Sequence, residues 1–170
     1  MDSNTILTII IGIAVAGGLY YVLTNKSPKN DTPVLQSPSS PASHALQLQA
    51  YERLALLTDR ISIPNLISRT PAEGLSARDM QFLLTKSIRD EFDYNITQQV
   101  YVSQQVWKAI KGLKEQNLLL INQVAAQLPA QASGMDLNRA LLDFLVTDKQ
   151  AVLPELVSQA LSFEAKKLLT

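Results

Sequence analysis

Residues 104–128, QQVWKAIKGLKEQNLLLINQVAAQL, decide the fold class of this chain. Six positions in this stretch recur at alternating steps of four and three residues, which is the period of one helix face. They are Val106, Ile110, Leu113, Asn117, Leu120 and Val124. A second apolar face consists of Leu118, Ile121, Ala125 and Leu128. A helix that is apolar on two faces is typical of the centre of a helical bundle, so the stretch predicts an all-α domain.

The segments on either side of this central helix predict further helices. Residues 45–61 carry Ala50, Leu54, Leu57 and Ile61 at helical spacing, and a short helical turn follows at 65–69. Ser76 begins the next helix, with Asp79 in the capping-box position and a stripe formed by Met80, Leu84, Ile88 and Phe92. Residues 95–102 read as an irregular or briefly extended connector, after which Ser103 caps the central helix. Pro129 ends that helix, and two more apolar stripes predict the last two helices of a four- or five-helix bundle.

The N-terminus predicts a membrane anchor. Residues 5–24, TILTIIIGIAVAGGLYYVLT, contain no charge and are long enough, at roughly 30 Å as a helix, to span a bilayer. A cleaved signal peptide is the alternative, but the preceding MDSN lacks the basic residues of such a signal. Asp2 lies before the segment, whereas Lys26 and Lys29 follow it. The positive-inside rule therefore predicts an inner-membrane protein with its N-terminus outside and its C-terminal domain in the cytoplasm.

The chain divides into three predicted parts: an anchor at 1–24, a flexible linker at 25–44 and a helical bundle at 45–170. The linker, NKSPKNDTPVLQSPSSPASH, holds four of the eight prolines and offers no apolar face to bury. Gly12, Ala14, Ala16 and Gly18 form two small-xxx-small pairs in the anchor. Such pairs are compatible with a homodimer through the membrane helix, although glycine and alanine are also ordinary in membrane helices.

Composition excludes several classes of function. The chain has 15 basic and 15 acidic residues, so it lacks the basic footprint of a nucleic-acid-binding protein. It contains no cysteine, which excludes disulfides and thiolate chemistry. Its one histidine, His44, lies in the predicted linker, so the domain has no histidine base or metal ligand. We expect no cofactor and no metal site.

The densest charged cluster is the run that contains Asp90, Glu91 and Asp93. These carboxylates could bind a hard cation or act as acid and base. However, Lys86 precedes Asp90 by four residues and Arg89 precedes Asp93 by four, which favours ion pairs on a solvated helix face.

Four residues are candidates for a protein-binding surface. Tyr94, Tyr101 and Trp107 surround a glutamine-rich junction, where they could bind a partner or attach the connector to the core. Asn117 interrupts an apolar stripe, where it could set the register of a helix–helix pairing or form a hydrogen bond inside the bundle.

The wording of two long runs is similar to that of a known family. The runs LQLQAYERLALLTDRISIPNLISR and GLSARDMQFLLTKSIRDEFDYNITQQVYVSQQVWKAIKGLKEQ lie within residues 46–145. They resemble a family of Bacteroidota proteins, with a membrane helix and a variable linker, that has no assigned activity. The resemblance implies a bacterial inner-membrane setting and carries over no functional residue.

These observations favour a membrane-tethered interaction or scaffold module that is not an enzyme. Two alternatives stay open. One is an enzyme that uses only carboxylates, with Asp90, Glu91 and Asp93 as its candidates, and the other is a structural subunit of an envelope complex.

Overall fold

Serine, proline and glycine divide the described chain into helices. The structure, a computed structural model, describes residues 41–147 and 153–169. These residues form six α-helices and one 3₁₀ helix. They are α1 (Pro41–Arg60), α2 (Ile63–Arg69), α3 (Ala77–Tyr94), the 3₁₀ helix (Ile96–Val100), α4 (Gln104–Gln127), α5 (Gly134–Thr147) and α6 (Leu153–Lys167). The predicted all-α bundle is confirmed for this part of the chain, as five long helices and the short α2.

Side-chain caps set the starts of three helices. The Ser76 hydroxyl accepts a hydrogen bond from the backbone amide of Asp79 at 3.2 Å, and Ser103 does the same for Val106 at 3.2 Å. Both caps confirm the prediction that Ser76 and Ser103 begin these helices. A third cap was not foreseen: Ser133 and Asp136 exchange side-chain-to-backbone hydrogen bonds of 3.2 and 2.9 Å in a reciprocal capping box before α5.

The core lies around α4, as its two apolar faces predict. This helix contacts α1, α3, α5 and α6. The predicted stripe of α4 is buried along its whole length, together with Leu118 and Ile121 from the second face. The stripes of α1 and α3 are buried as well, so the four-three spacing located the core correctly.

The loops before α3 and α5 are paired at one end of the bundle. The amide of Ala77 donates to the carbonyl of Ala132 at 2.9 Å, and the amide of Gly134 donates to that of Leu75 at 2.8 Å. A Cβ atom at Gly134 would lie 3.2 Å from the Cβ of Met80 and 3.3 Å from the carbonyl oxygen of Ala72. Glycine therefore allows the two loops to approach this closely.

The start of α1 and the connector before α4 differ from the structure that the sequence predicts. Helix α1 begins at Pro41, so the last four residues of the predicted linker are helical. Proline at the start of a helix explains this, because its missing amide would have no partner there in any case. The connector that we expected to be irregular or extended contains the 3₁₀ helix at Ile96–Val100, in which Asn95 and Gln98 accept backbone hydrogen bonds of 3.0 Å from Gln98 and Tyr101.

The predicted anchor, including Gly12, Ala14, Ala16 and Gly18, lies outside the described residues, as does nearly all of the predicted linker. Within residues 41–147 and 153–169, no helix is both long enough and apolar enough to cross a membrane.

Candidate functional site

An open groove runs between α1 and α3 on the flank of the bundle. Its volume is about 620 Å³. The α1 side contributes Arg53, Leu56 and Arg60, whose spacing of three and four residues places them on one helix face. The α3 side contributes Asp90, Glu91 and Tyr94, with Asn95 closing the end of the helix. The groove therefore combines apolar, aromatic and charged side chains.

Glu91 joins the two helices at the base of this groove. Its Oε1 atom accepts a hydrogen bond from Nε of Arg60 at 2.7 Å and a second, shorter one from Nη2 of the same guanidinium. Nη1 of Arg69, at the end of α2, lies 3.5 Å from the same oxygen. Glu91 thus holds two arginines from two different helices.

These contacts determine the charge state of Glu91. The hydrogen bond from Arg60 lowers the pKa of this carboxyl below its ordinary value of 4.5, and partial burial only partly opposes the effect. Glu91 is therefore ionised at neutral pH. An ionised carboxylate that is already bound to two cations is poorly placed to act as a general acid.

The other two carboxylates of the cluster have different surroundings. Asp90 is exposed and pairs with Lys86, four residues earlier, as the spacing predicts. Asp93 is exposed, and the salt bridge that we expected between it and Arg89 does not form in the described structure. The described residues contain no group of three or more acidic or histidine side chains that could hold a metal ion. The chain brings Asp90 and Glu91 to one groove, but Asp90 pairs with Lys86 and Glu91 with two arginines.

Tyr94 forms the rim of the groove at the end of α3. Its side chain is 74% exposed, and the guanidinium carbon of Arg53 lies 5.3 Å from the centre of its ring. This distance is within the range of a cation–π contact. Arg53 forms no salt bridge within the described part of the chain, so its charge is still available to a carboxylate from outside.

Tyr101 and Trp107, two others of the four predicted surface residues, are less exposed than Tyr94. Tyr101 is 40% exposed at the end of the 3₁₀ helix. Trp107 is half-buried and stacks on Phe92, with ring centres 5.2 Å apart and planes tilted by 30°. It attaches the start of α4 to the end of α3, which was the structural alternative for this residue.

Asn117 lies inside the bundle, which agrees with the second of its two predicted roles, a hydrogen bond within the domain. It is buried, and its Nδ2 donates a hydrogen bond of 2.7 Å to the carbonyl of Ile61. This carbonyl lies just beyond the end of α1, where no helical amide is available to it. Asn117 therefore connects two elements inside the bundle.

A second polar cluster, which the sequence analysis missed, connects α1, α4 and α6. Glu164 accepts hydrogen bonds from the hydroxyls of Tyr51 at 2.7 Å and Ser103 at 2.8 Å. Burial and the hydrogen bond to Glu164 raise the pKa of Tyr51 to about 12, so this phenol stays protonated. No local pattern signals this contact, because Tyr51 and Glu164 are 113 residues apart.

The helices and the groove define the class of this protein as an all-α bundle with a mixed apolar and charged flank. The chain belongs to a family of unknown function (DUF7935), whose model matches residues 2–168. The expected membership of a family without an assigned activity is thereby confirmed. No curated protein matches the chain, and no solved structure matches it.

Proposed function

We propose that this protein is a membrane-tethered interaction module that binds a protein partner in the groove between α1 and α3. The observation that carries the proposal is the groove itself, where the exposed side chains of Leu56 and Tyr94 lie beside Arg53. Aromatic and arginine side chains are the residues that most often dominate binding at protein interfaces.

The chemistry of the groove defines the segment that fits it. Arg60 and Arg69 are engaged by Glu91, and Lys86 neutralises Asp90, so Arg53 is the charge that the rim offers to a partner. The complementary segment presents an aliphatic side chain to Leu56 and Tyr94 and, beside it, a carboxylate to Arg53.

The membrane setting rests on the sequence. The uncharged run at residues 5–24 supports a spanning helix, and residues 25–40 supply the proposed tether. Lys26 and Lys29 support a cytoplasmic position for the bundle, and the family resemblance supports the inner membrane of a bacterium of the Bacteroidota. A homodimer through the Gly12, Ala14, Ala16 and Gly18 face is compatible with this proposal, although glycine and alanine are also ordinary in membrane helices.

The two alternatives have less support. The carboxylate-only enzyme needs Asp90, Glu91 and Asp93 to act on one substrate, whereas Glu91 is held by two arginines and Asp90 by Lys86. A structural subunit of an envelope complex differs from an interaction module in co-purifying with its partners at a fixed stoichiometry.

A pair of matched variants tests the groove. We expect the tagged full chain, at native expression in mildly solubilised membranes, to retain a partner that Leu56→Asp loses and Phe82→Asp keeps. Leu56 and Phe82 are similarly exposed, at 57% and 63%. Phe82, however, lies on α3 outside the groove. Loss of the partner in both variants, or in neither, would show that the groove is not the binding site. If no specific partner is captured at all, the interaction module is wrong.

Reporter fusions test the orientation. A reporter that is active only in the cytoplasm should give a signal when it is fused after Thr170, because Lys26 and Lys29 retain their side of the anchor inside. A signal from a reporter that is active only in the periplasm would instead place the bundle outside.

A further inference from the structure

One end of the bundle, the end at which the described chain begins, carries a concentration of exposed apolar side chains. We call it the proximal end. It contains the first half of α1, the 3₁₀ helix, the start of α4 and the end of α6, which are joined by contacts between them. The hydrogen bonds of Glu164 to Tyr51 and Ser103 hold the parts from α1, α4 and α6 together, and the stacking of Trp107 on Phe92 adds the end of α3.

The exposed apolar residues of the proximal end come from three elements and the turn after the 3₁₀ helix. They are Leu46, Ile96, Val100, Tyr101, Phe163 and Leu169. Phe163 is next to Glu164 in the chain, and Leu169 lies just beyond the end of α6. Because Glu164 joins α6 to α1 and to the start of α4, these elements present their exposed apolar residues at the same end of the bundle, as the elements of a contact surface do.

Basic residues accompany these side chains. Lys166 and Lys167 form the last turn of α6, and Nζ of Lys167 lies 4.2 Å from the centre of the Phe163 ring. Phenylalanine, tyrosine and leucine next to lysine are the combination that the interfacial zone of a bilayer accommodates, since the rings enter the headgroup region while the ammonium groups stay in water.

We propose that the proximal end rests against the lipid surface, so that the bundle docks on the membrane with its α1–α3 groove on the side. This inference rests on the membrane anchor of the proposed function. The sixteen residues at 25–40, between the predicted anchor and Pro41, reach at most about 55 Å when fully extended, so the proximal end stays near the bilayer.

The tether also explains how a domain without net charge can dock on a lipid surface. The chain has equal numbers of acidic and basic residues, so electrostatic attraction to anionic lipid contributes little. A short tether makes docking intramolecular, with an effective concentration in about the millimolar range, and a weak apolar contact then suffices. Lipid is favoured over a protein as the occupant because this surface lies where the chain arrives from the predicted anchor.

The opposite end of the bundle provides a matched control. Met135 lies at the start of α5, beside the paired loops that precede α3 and α5, whereas the end of α3 lies at the proximal end. The intervening helix α3 has 18 residues and is therefore about 27 Å long. Met135 and Phe163 are almost equally exposed, at 64% and 63%, so a probe at either position reports its surroundings from the same starting accessibility.

Spin labels on the full chain test the proposal. The natural chain has no cysteine, so Phe163→Cys, Lys166→Cys and Met135→Cys each give a single labelling site. The labelled protein is reconstituted in phosphatidylcholine vesicles, and collisions of the nitroxide with oxygen and with a water-soluble nickel chelate are measured. The Lys166→Cys variant keeps Phe163 and its contact with Lys167, so it reports on a surface that retains its aromatic side chain.

We expect the ratio of oxygen to nickel collisions to be several-fold higher at residues 163 and 166 than at 135. Equal, water-like ratios at all three sites in protein that floats with the vesicles would overturn the docking and leave the anchor intact. Shielding from nickel that rises with the protein-to-lipid ratio, without a gain in oxygen collisions, would assign the surface to a second copy and also overturn the proposal. Failure to float with the vesicles would instead contradict the anchor of the proposed function.

Discussion

Asn117 donates a hydrogen bond from the middle of α4 to the carbonyl of Ile61, and both groups are buried. We predict that Asn117→Ala lowers the free energy of unfolding by about 1–3 kcal/mol, because it leaves this carbonyl without its donor. Denaturant unfolding measures the change. Asn122→Ala, on the exposed side of the same helix, removes only a surface contact with Gln81 and should cost less than about 0.5 kcal/mol. Equal losses in the two variants would contradict this role for Asn117.

Glu91 gives the stability of the bundle a dependence on pH. Its contacts with Arg60 lower the pKa of the folded state, so the stabilisation is present above the ordinary value of 4.5 and is lost as the pH falls below it. We predict that the wild type loses more stability than Glu91→Gln when the pH falls from about 6 to about 3. At neutral pH the substitution should cost roughly 1 kcal/mol or less, because both arginines are partly exposed.

Denaturant midpoints across this pH range measure the difference between the wild type and Glu91→Gln. Asp90→Asn is the control, since Asp90 forms only an exposed pair with Lys86. Parallel pH profiles of the wild type and Glu91→Gln would show that the Arg60 contact does not stabilise the fold.

At the scale of elements, the reciprocal capping box of Ser133 and Asp136 fixes the start of α5. We predict that Ser133→Ala destabilises the bundle by about 1 kcal/mol, because Asp136 loses the partner of its backbone amide. Thermal or denaturant unfolding measures this. Ser162→Ala is the matched control in the exposed interior of α6, where the higher helix propensity of alanine should leave stability unchanged or raise it by up to about 0.5 kcal/mol. The same sign for both substitutions would contradict the cap.

At the scale of the whole molecule, residues 45–170 should fold without the anchor. The described helices belong to one compact unit, and the first fully buried residue of α1 is Ala50, so the turn at 41–44 adds little to the core. We predict a strongly helical circular dichroism spectrum and cooperative melting for this fragment. A disordered fragment would show that the bundle assembles only with a partner or with the membrane segment.

Two substitutions on α4 test the same core. Leu113→Asp should cost roughly 4 kcal/mol, a large share of the stability of a domain of this size, because it places a charge at a fully buried position. Leu119→Asp should be almost neutral, since Leu119 on the same helix is half exposed. If the fragment tolerates both substitutions equally, α4 is not the centre of the core.

The sequence by itself determined the helices and their buried faces. Ser76 and Ser103 cap the helices that follow them, and the stripe from Val106 to Val124 is buried as its spacing requires. These features are predictable because a cap and a helical stripe each depend on residues within a few positions of one another. The all-α class and the central place of α4 follow from the same local pattern.

Only the tertiary structure decided which polar groups meet. Arg60 and Glu91 are 31 residues apart, Ile61 and Asn117 are 56 apart, and Tyr51 and Glu164 are 113 apart. Leu56 and Arg53 of α1 line a groove only because α3 packs beside them. The packing of separate helices determines such contacts, and the period of any one helix holds no information about its neighbour's register.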